Sequence, residues 1–278
     1  MPAAGIAENL AHINWTVLTG LAIGSYAVAL FARWRTDATR GYVRFTMLCA
    51  VAFGLLAWLS DGALPATLTD SPVVADPAFD APRRSALLAF SLLALAELVV
   101  FRVAGAGRLI GIAALVASGG VLVLAALAWG GGQLGSVPLL LQLTLLSAAT
   151  GGVFAAMILG HWYLVTPKLP ERPLILVSRA LTLVVGAQLV LFATWIATGS
   201  GPAGGAPFAA LVGPWALFVW LRLLVGLVFP LIVSWASIQT ARSRSMESAT
   251  GLLYINVGSI AAGTILAAGL YFGAGLLV

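Results

Sequence analysis

Long apolar runs, separated by short polar segments rich in proline or glycine, dominate the sequence. Eight runs are long enough to cross the hydrocarbon core of a bilayer, which takes about 20 residues of helix. They lack the regular alternation of membrane barrel strands, and a helix satisfies its own backbone hydrogen bonds in lipid. We therefore predict an all-α polytopic membrane protein with a single domain over residues 1–278 and helices at about 13–34, 42–60, 85–103, 109–129, 137–165, 174–198, 214–240 and 248–272.

Basic residues concentrate in alternate loops between these runs. The strongest cluster follows the first run and consists of Arg33, Arg35, Arg40 and Arg44. Since basic loops stay on the cytoplasmic side of a membrane, these loops are predicted to be inner and both termini outer. The longest polar stretch, residues 61–84, then lies outside, and its four prolines predict a loop rather than a helix.

The amino-acid composition excludes several classes of protein but does not indicate a function. Hydrophobic residues make up 61% of the chain and charged residues only 8%, whereas a soluble domain carries about 25% charge. The net charge of +5 comes from loop arginines, so it is a topology signal and predicts no nucleic-acid partner. The single cysteine, Cys49, excludes an internal disulfide.

The end of the fifth run combines small residues with a titratable ring. Ala148, Gly152, Ala156 and Gly160 recur every four residues and would form a smooth strip on which another helix can lie. His161 follows directly. We expect its side chain to lie beside a helix contact rather than free in lipid.

Four polar side chains are predicted to lie at one depth in the inner half of the membrane. They are His161, Arg179, Glu97 and Tyr254. Each lies about five or six residues from the predicted inner end of its helix, which is roughly 7 to 10 Å at the rise of an α-helix. Ionisable groups inside a membrane usually face a cavity or a partner, so this level is the candidate site.

Two interpretations of this level remain open. In the first, a quinone accepts hydrogen bonds from His161 or Tyr254, Glu97 or His161 carries protons, and Arg179 stabilises developing negative charge. In the second, the cluster only holds the helices together. Glu97 then pairs with Arg179 or Arg222, and His161 donates to a backbone carbonyl.

Arg222 lies apart from this level, roughly 12 Å below the predicted outer surface. It shares a helix face with Gly226 and Pro230, and Pro230 should kink the helix because it lacks a donor. We therefore interpret Arg222 either as a structural charge or as the coupling charge of a transporter.

The histidine count argues against haem and metal. His12 lies at the predicted outer end and His161 near the inner end, so the two cannot ligate one iron. Only ligation by His161 and a methionine stays open. We expect no metal site and no covalent cofactor, with a quinone as the candidate ligand.

Two motifs resemble those of a family of uncharacterised bacterial multi-pass membrane proteins. They are Gly160-His161-Trp162-Tyr163-Leu164 and Ser248-Ala249-Thr250-Gly251-Leu252-Leu253-Tyr254. The resemblance covers the second half of the chain and implies a bacterial inner membrane, but no activity. In helix number and in the lack of haem ligands, the architecture is similar to the quinone-binding anchors of the polysulfide-reductase class.

The sequence thus favours an integral subunit of a bacterial respiratory or electron-transfer complex, with a quinone site near the cytoplasmic side. Its partners would be the lipid bilayer and other protein subunits of that complex. Two alternatives remain: a non-catalytic structural or assembly subunit, and a small-solute or ion transporter. Whether the chain is an enzyme is left open.

Overall fold

The computed structural model describes residues 2–65, 68, 71–101, 106–166 and 168–278. The described chain is 82% helix and contains no strand. Its α-helices are α1 Pro2–Glu8, α2 Leu10–Arg35, α3 Arg40–Asp61, α4 Asp80–Val99, α5 Ala106–Trp129, α6 Gln133–Val165, α7 Arg172–Thr198, α8 Ala216–Leu223, α9 Phe229–Arg242 and α10 Met246–Ala274. Short 3-10 turns lie at Pro77–Phe79 and Ala209–Leu211.

Seven helical stretches are long and apolar enough to cross a membrane. They are α2, α3, most of α5, most of α6, α7, the stretch Ala216–Arg242 and α10. The prediction of an all-helical polytopic protein is therefore confirmed. Helix α4 is not among the seven, because Arg83, Arg84 and Glu97 lie within its 20 residues. The count of eight spans and the side of each terminus stay predictions.

The long helices run in alternating directions. We call the end at which α2, α4, α6 and α8 begin the predicted outer end, and the opposite end the predicted inner end. Helix α2 packs against α3, α6 and α10, while α4 packs against α3 and α5. Helices α6, α7, α9 and α10 contact one another in a ring. Contacts of α2 with α6 and α10, and of α5 with α6, join this ring to the other helices.

Glycines allow α2 and α6 to approach closely. A Cβ atom at Gly24 would overlap the Ser147 carbonyl oxygen and lie 2.9 Å from the Gly151 Cα. The predicted strip is thus shifted by one residue at this contact, because Gly151 rather than Gly152 faces α2. Gly160 does meet another helix, since a Cβ there would lie 2.9 Å from Thr250 Oγ1 of α10.

Two helices begin earlier than predicted, and each contains a proline near its start. Helix α4 begins at Asp80, inside the stretch predicted as a loop, and Pro82 occupies its first turn. A proline there costs little because the first-turn N–H groups have no partner within the helix. Helix α6 begins at Gln133, within a glycine-rich segment, and accommodates Pro138 near its start. The short helix α1 was not predicted.

A π-helical turn, Leu224–Val228, separates α8 from α9 at the place where a kink was predicted. Pro230 has no N–H to donate to the Gly226 carbonyl four residues earlier. Arg222 Nη1 donates to that carbonyl at 3.2 Å, and Ser259 of α10 donates to the carbonyl of Val225. Side chains thus replace backbone donors where the α-helical pattern is interrupted.

Candidate functional sites

His161 and Tyr254 lie together near the predicted inner end. The Nδ1 atom of His161 lies 3.4 Å from the hydroxyl of Tyr254, and both side chains are exposed. The close contact between Gly160 and Thr250 brings the two side chains together, because His161 follows Gly160 and Tyr254 lies one turn after Thr250. The partner of the imidazole is therefore a phenol on α10, and not the backbone carbonyl of the structural interpretation.

Glu97 belongs to a different cluster. Its fully buried carboxylate accepts a hydrogen bond from the Tyr26 hydroxyl and pairs with Arg33 at 2.7 Å. Arg33 also lies over the ring of Phe101, 4.3 Å from its centroid. The prediction that Glu97 pairs with Arg179 or Arg222 is wrong. The cause is geometric: Arg33 lies near the end of α2 and its guanidinium reaches Glu97 of α4, so it is a partner within the bundle and not only a member of the inner basic cluster.

Arg179 does not join either cluster through a polar contact. Its side chain is exposed on α7 and makes no hydrogen bond or ion pair with a residue that the structure describes. Residues on the same helix face, among them Leu183 and Val190, are also exposed. This face points away from the bundle.

Arg222 is buried, with 2% of its surface exposed, and its partner is an amide rather than a carboxylate. Its Nη2 donates to Gln188 Oε1 at 2.6 Å, and within the described chain no acidic side chain pairs with it. Its Nε and the Oε1 of Gln142 are both without a partner among the described residues, and the two residues line a cavity of about 10 Å³. That volume is close to the minimum for one water molecule.

Sequence reasoning missed a buried ion pair at the predicted outer end. Arg83 Nε donates to Asp61 Oδ2 at 2.8 Å, and its Nη1 donates to Asp80 at 2.8 Å. The Nε1 of Trp15 donates to the same Asp61 oxygen, and the ring centroid of Trp129 lies 4.6 Å from the guanidinium. Four helices thus meet at one charge pair. One signal was available: Asp61 directly follows an apolar run, which places it at the membrane boundary.

We expect Glu97→Ala to lower the free energy of unfolding by about 2 kcal/mol, because Arg33 and Tyr26 lose a charged hydrogen-bond partner. The loss is limited because the Arg33 side chain is 20% exposed and can reach water. Unfolding in mixed detergent micelles would measure it. The control is Glu171→Gln, which removes an exposed ion pair with Arg244 at 3.6 Å. Equal effects of the two substitutions would contradict the prediction.

No group of three or more His, Cys, Asp or Glu side chains is placed to hold a metal ion in the part of the chain that the structure describes. No model of a known protein family matches the chain, and no curated protein and no solved structure matches it either.

Proposed function

We propose that the protein is an integral membrane subunit of an electron-transfer complex and that His161 and Tyr254 bind the head of a membrane quinone. The observation that carries the proposal is the position of this pair on the exposed surface of the bundle. A quinone diffuses within the bilayer, and its two carbonyl oxygens need donors. A surface pair can provide a donor while the apolar tail of the quinone stays in lipid.

The surface around Tyr254 supports the proposal. Gly251 and Gly258 lie about one turn before and after Tyr254 on the exposed face of α10. A Cβ atom at either glycine would have no neighbour within 4 Å. A flat ring can therefore approach the phenol without meeting another side chain of this face.

In this proposal His161 meets the ligand, and Tyr254 contacts the other side of the imidazole ring. Nδ1 of His161 faces Tyr254, and Nε2 makes no hydrogen bond with a described residue, so Nε2 can face the ligand. Imidazole is also the side chain best suited to pass protons near neutral pH, as quinone reduction requires. Glu97 takes no part, because its carboxylate is held by Tyr26 and Arg33. The partner subunits are part of this proposal and are drawn only from the predicted architecture, which is similar to that of quinone-binding anchors.

Binding of a short-chain ubiquinone to the full chain in nanodiscs tests the proposal. Quenching of tryptophan fluorescence reports the dissociation constant, since Trp162 directly follows His161. We expect His161→Ala and Tyr254→Phe each to weaken binding about three- to tenfold, which corresponds to the loss of one hydrogen bond.

Arg179→Gln is the matched control. This side chain is exposed at a similar predicted depth and bonds to no described residue, so its loss should leave the dissociation constant unchanged. Absence of saturable binding to the unmodified protein, or equal binding by all variants, would overturn the proposal. A non-catalytic assembly subunit would then be the better interpretation.

A further inference from the structure

A second cavity, of about 250 Å³, lies at the predicted outer end, where α2, α3, α4 and α5 meet. Charged and aromatic side chains line it, among them His12, Asp80, Arg83, Arg84 and Trp129. The pair formed by His161 and Tyr254 lies at the opposite end of the bundle. The cavity is therefore independent of the proposed quinone site.

His12 is a buried polar residue in the wall of this cavity. The side chain is 2% exposed, and its ring packs against Phe272 and Trp129 at centroid distances of 4.8 and 5.5 Å. Its Nδ1 has no hydrogen-bond partner among the described residues. This nitrogen is closed off from the cavity, so a ligand there would meet the other ring nitrogen, Nε2, which bonds to no described residue.

Arg83 forms a wall of the cavity and is paired with both aspartates. Its Nε and Nη2 donate to Asp61, and its Nη1 donates to Asp80. The side chains of Arg83 and Asp61 are 2% and 3% exposed. This pair fixes the shape of the cavity and leaves other groups to meet a ligand.

Asp80 and Arg84 provide opposite charges that do not meet. They are four residues apart on α4, a spacing at which such side chains can pair, but neither bonds to the other. The guanidinium of Arg84 lies 5.0 Å from the ring centroid of Trp58 and pairs with no carboxylate in the described chain. One oxygen of Asp80 accepts from Arg83, and the other bonds to no described residue. The described part of the lining thus presents one available cation and one available carboxylate oxygen.

The charges around the cavity balance, which limits the ligand. Among the described residues of its lining, two arginines face two aspartates, so a lone anion or cation would leave one of these charges without compensation. A molecule that carries both charges would not. The volume is below the roughly 300–1,000 Å³ that is usual for drug-sized ligands.

We propose that this cavity binds a small zwitterion with a carboxylate and an ammonium group, of the α-amino-acid class. Arg84 and His12 donate to the carboxylate, Asp80 accepts from the ammonium group, and the ring of Trp129 contacts the apolar part. The site is held in shape by the ion pair of Arg83 and Asp61.

Thermal unfolding of the full chain in mild detergent tests this site. The probes are the standard L-amino acids, one at a time at low millimolar concentration, with acetate and ethylamine as single-charge controls. We expect at least one amino acid to raise the unfolding temperature saturably, and neither acetate nor ethylamine to do so. No shift with any amino acid, or an equal shift with acetate, would overturn the proposal.

Three substitutions assign the contacts. Arg84→Gln and Asp80→Asn should each weaken binding of the active amino acid at least tenfold, and His12→Gln should weaken it severalfold. Arg244→Gln, at the other end of the bundle, should bind as the unmodified protein does. Each variant is compared with its own ligand-free unfolding temperature. If Asp80→Asn does not fold, the test is binding of the active amino acid by Arg84→Gln, because Arg84 is only half-buried. Unchanged binding by this variant would refute the assignment.

Discussion

Replacing Arg83 with methionine should destabilise the protein by about 3–5 kcal/mol, the usual cost of leaving a buried charge without its partner. Asp61 would stay buried between helices with Trp15 as its remaining donor. Asp80 would lose its partner too, but its side chain is 47% exposed and water can replace the contact. The free energy of unfolding in mixed micelles is the quantity to measure.

The double variant Asp61→Leu/Arg83→Met separates an uncompensated charge from a simple loss of packing. Removing both partners leaves no buried charge, so this variant should recover much of the stability that Arg83→Met loses. Arg244→Gln, which breaks an exposed pair, should change stability by less than about 1 kcal/mol. A double variant as unstable as the single one would contradict this account of the pair.

Gly24→Val should cost about 3 kcal/mol or prevent folding, because the valine side chain would occupy the space of the α6 backbone at Ser147 and Gly151. The cost is high because the obstacle is backbone, which cannot rotate away as a flexible side chain can. The yield of monodisperse protein and its unfolding free energy are the measurements.

Gly186→Val is the matched control for Gly24→Val. Gly186 lies in the middle of α7, and a Cβ atom there would have no neighbour within 4 Å. Both substitutions change helix propensity by the same amount, so only packing distinguishes them. Comparable losses in the two variants would mean that the contact between α2 and α6 is looser than described.

Depth in the membrane could be predicted from the sequence, but contact could not. The helical rise places Glu97 and His161 at similar distances from the predicted inner end. It carries no information on which helices are neighbours or which faces meet. In the structure Glu97 contacts Arg33 of α2, whereas His161 contacts Tyr254 of α10, and depth alone could not separate the two.

Depth in the membrane also could not reveal the ion pair of Arg83 with Asp61 and Asp80. Its charges lie at helix ends and beside a proline-rich stretch, where polar residues normally face water. Arg83 is buried only because α4 begins five residues before its predicted start and turns this side chain toward Asp61. A helix start that differs by a few residues thus changes an apparent surface charge into a core residue.

The π-helical turn in the seventh apolar helix depends on a hydrogen bond from Arg222. In hydrocarbon a carbonyl that loses its N–H partner cannot turn to water, so a break persists only where another donor is supplied. Here the guanidinium of Arg222, one turn before Gly226, donates to the carbonyl that Pro230 leaves without a donor. Arg222 therefore replaces a main-chain N–H donor, and the buried charge is a consequence of using a guanidinium for that hydrogen bond. The contact depends on the reach and donor geometry of the guanidinium, so a lysine would be a poor replacement although it preserves the charge.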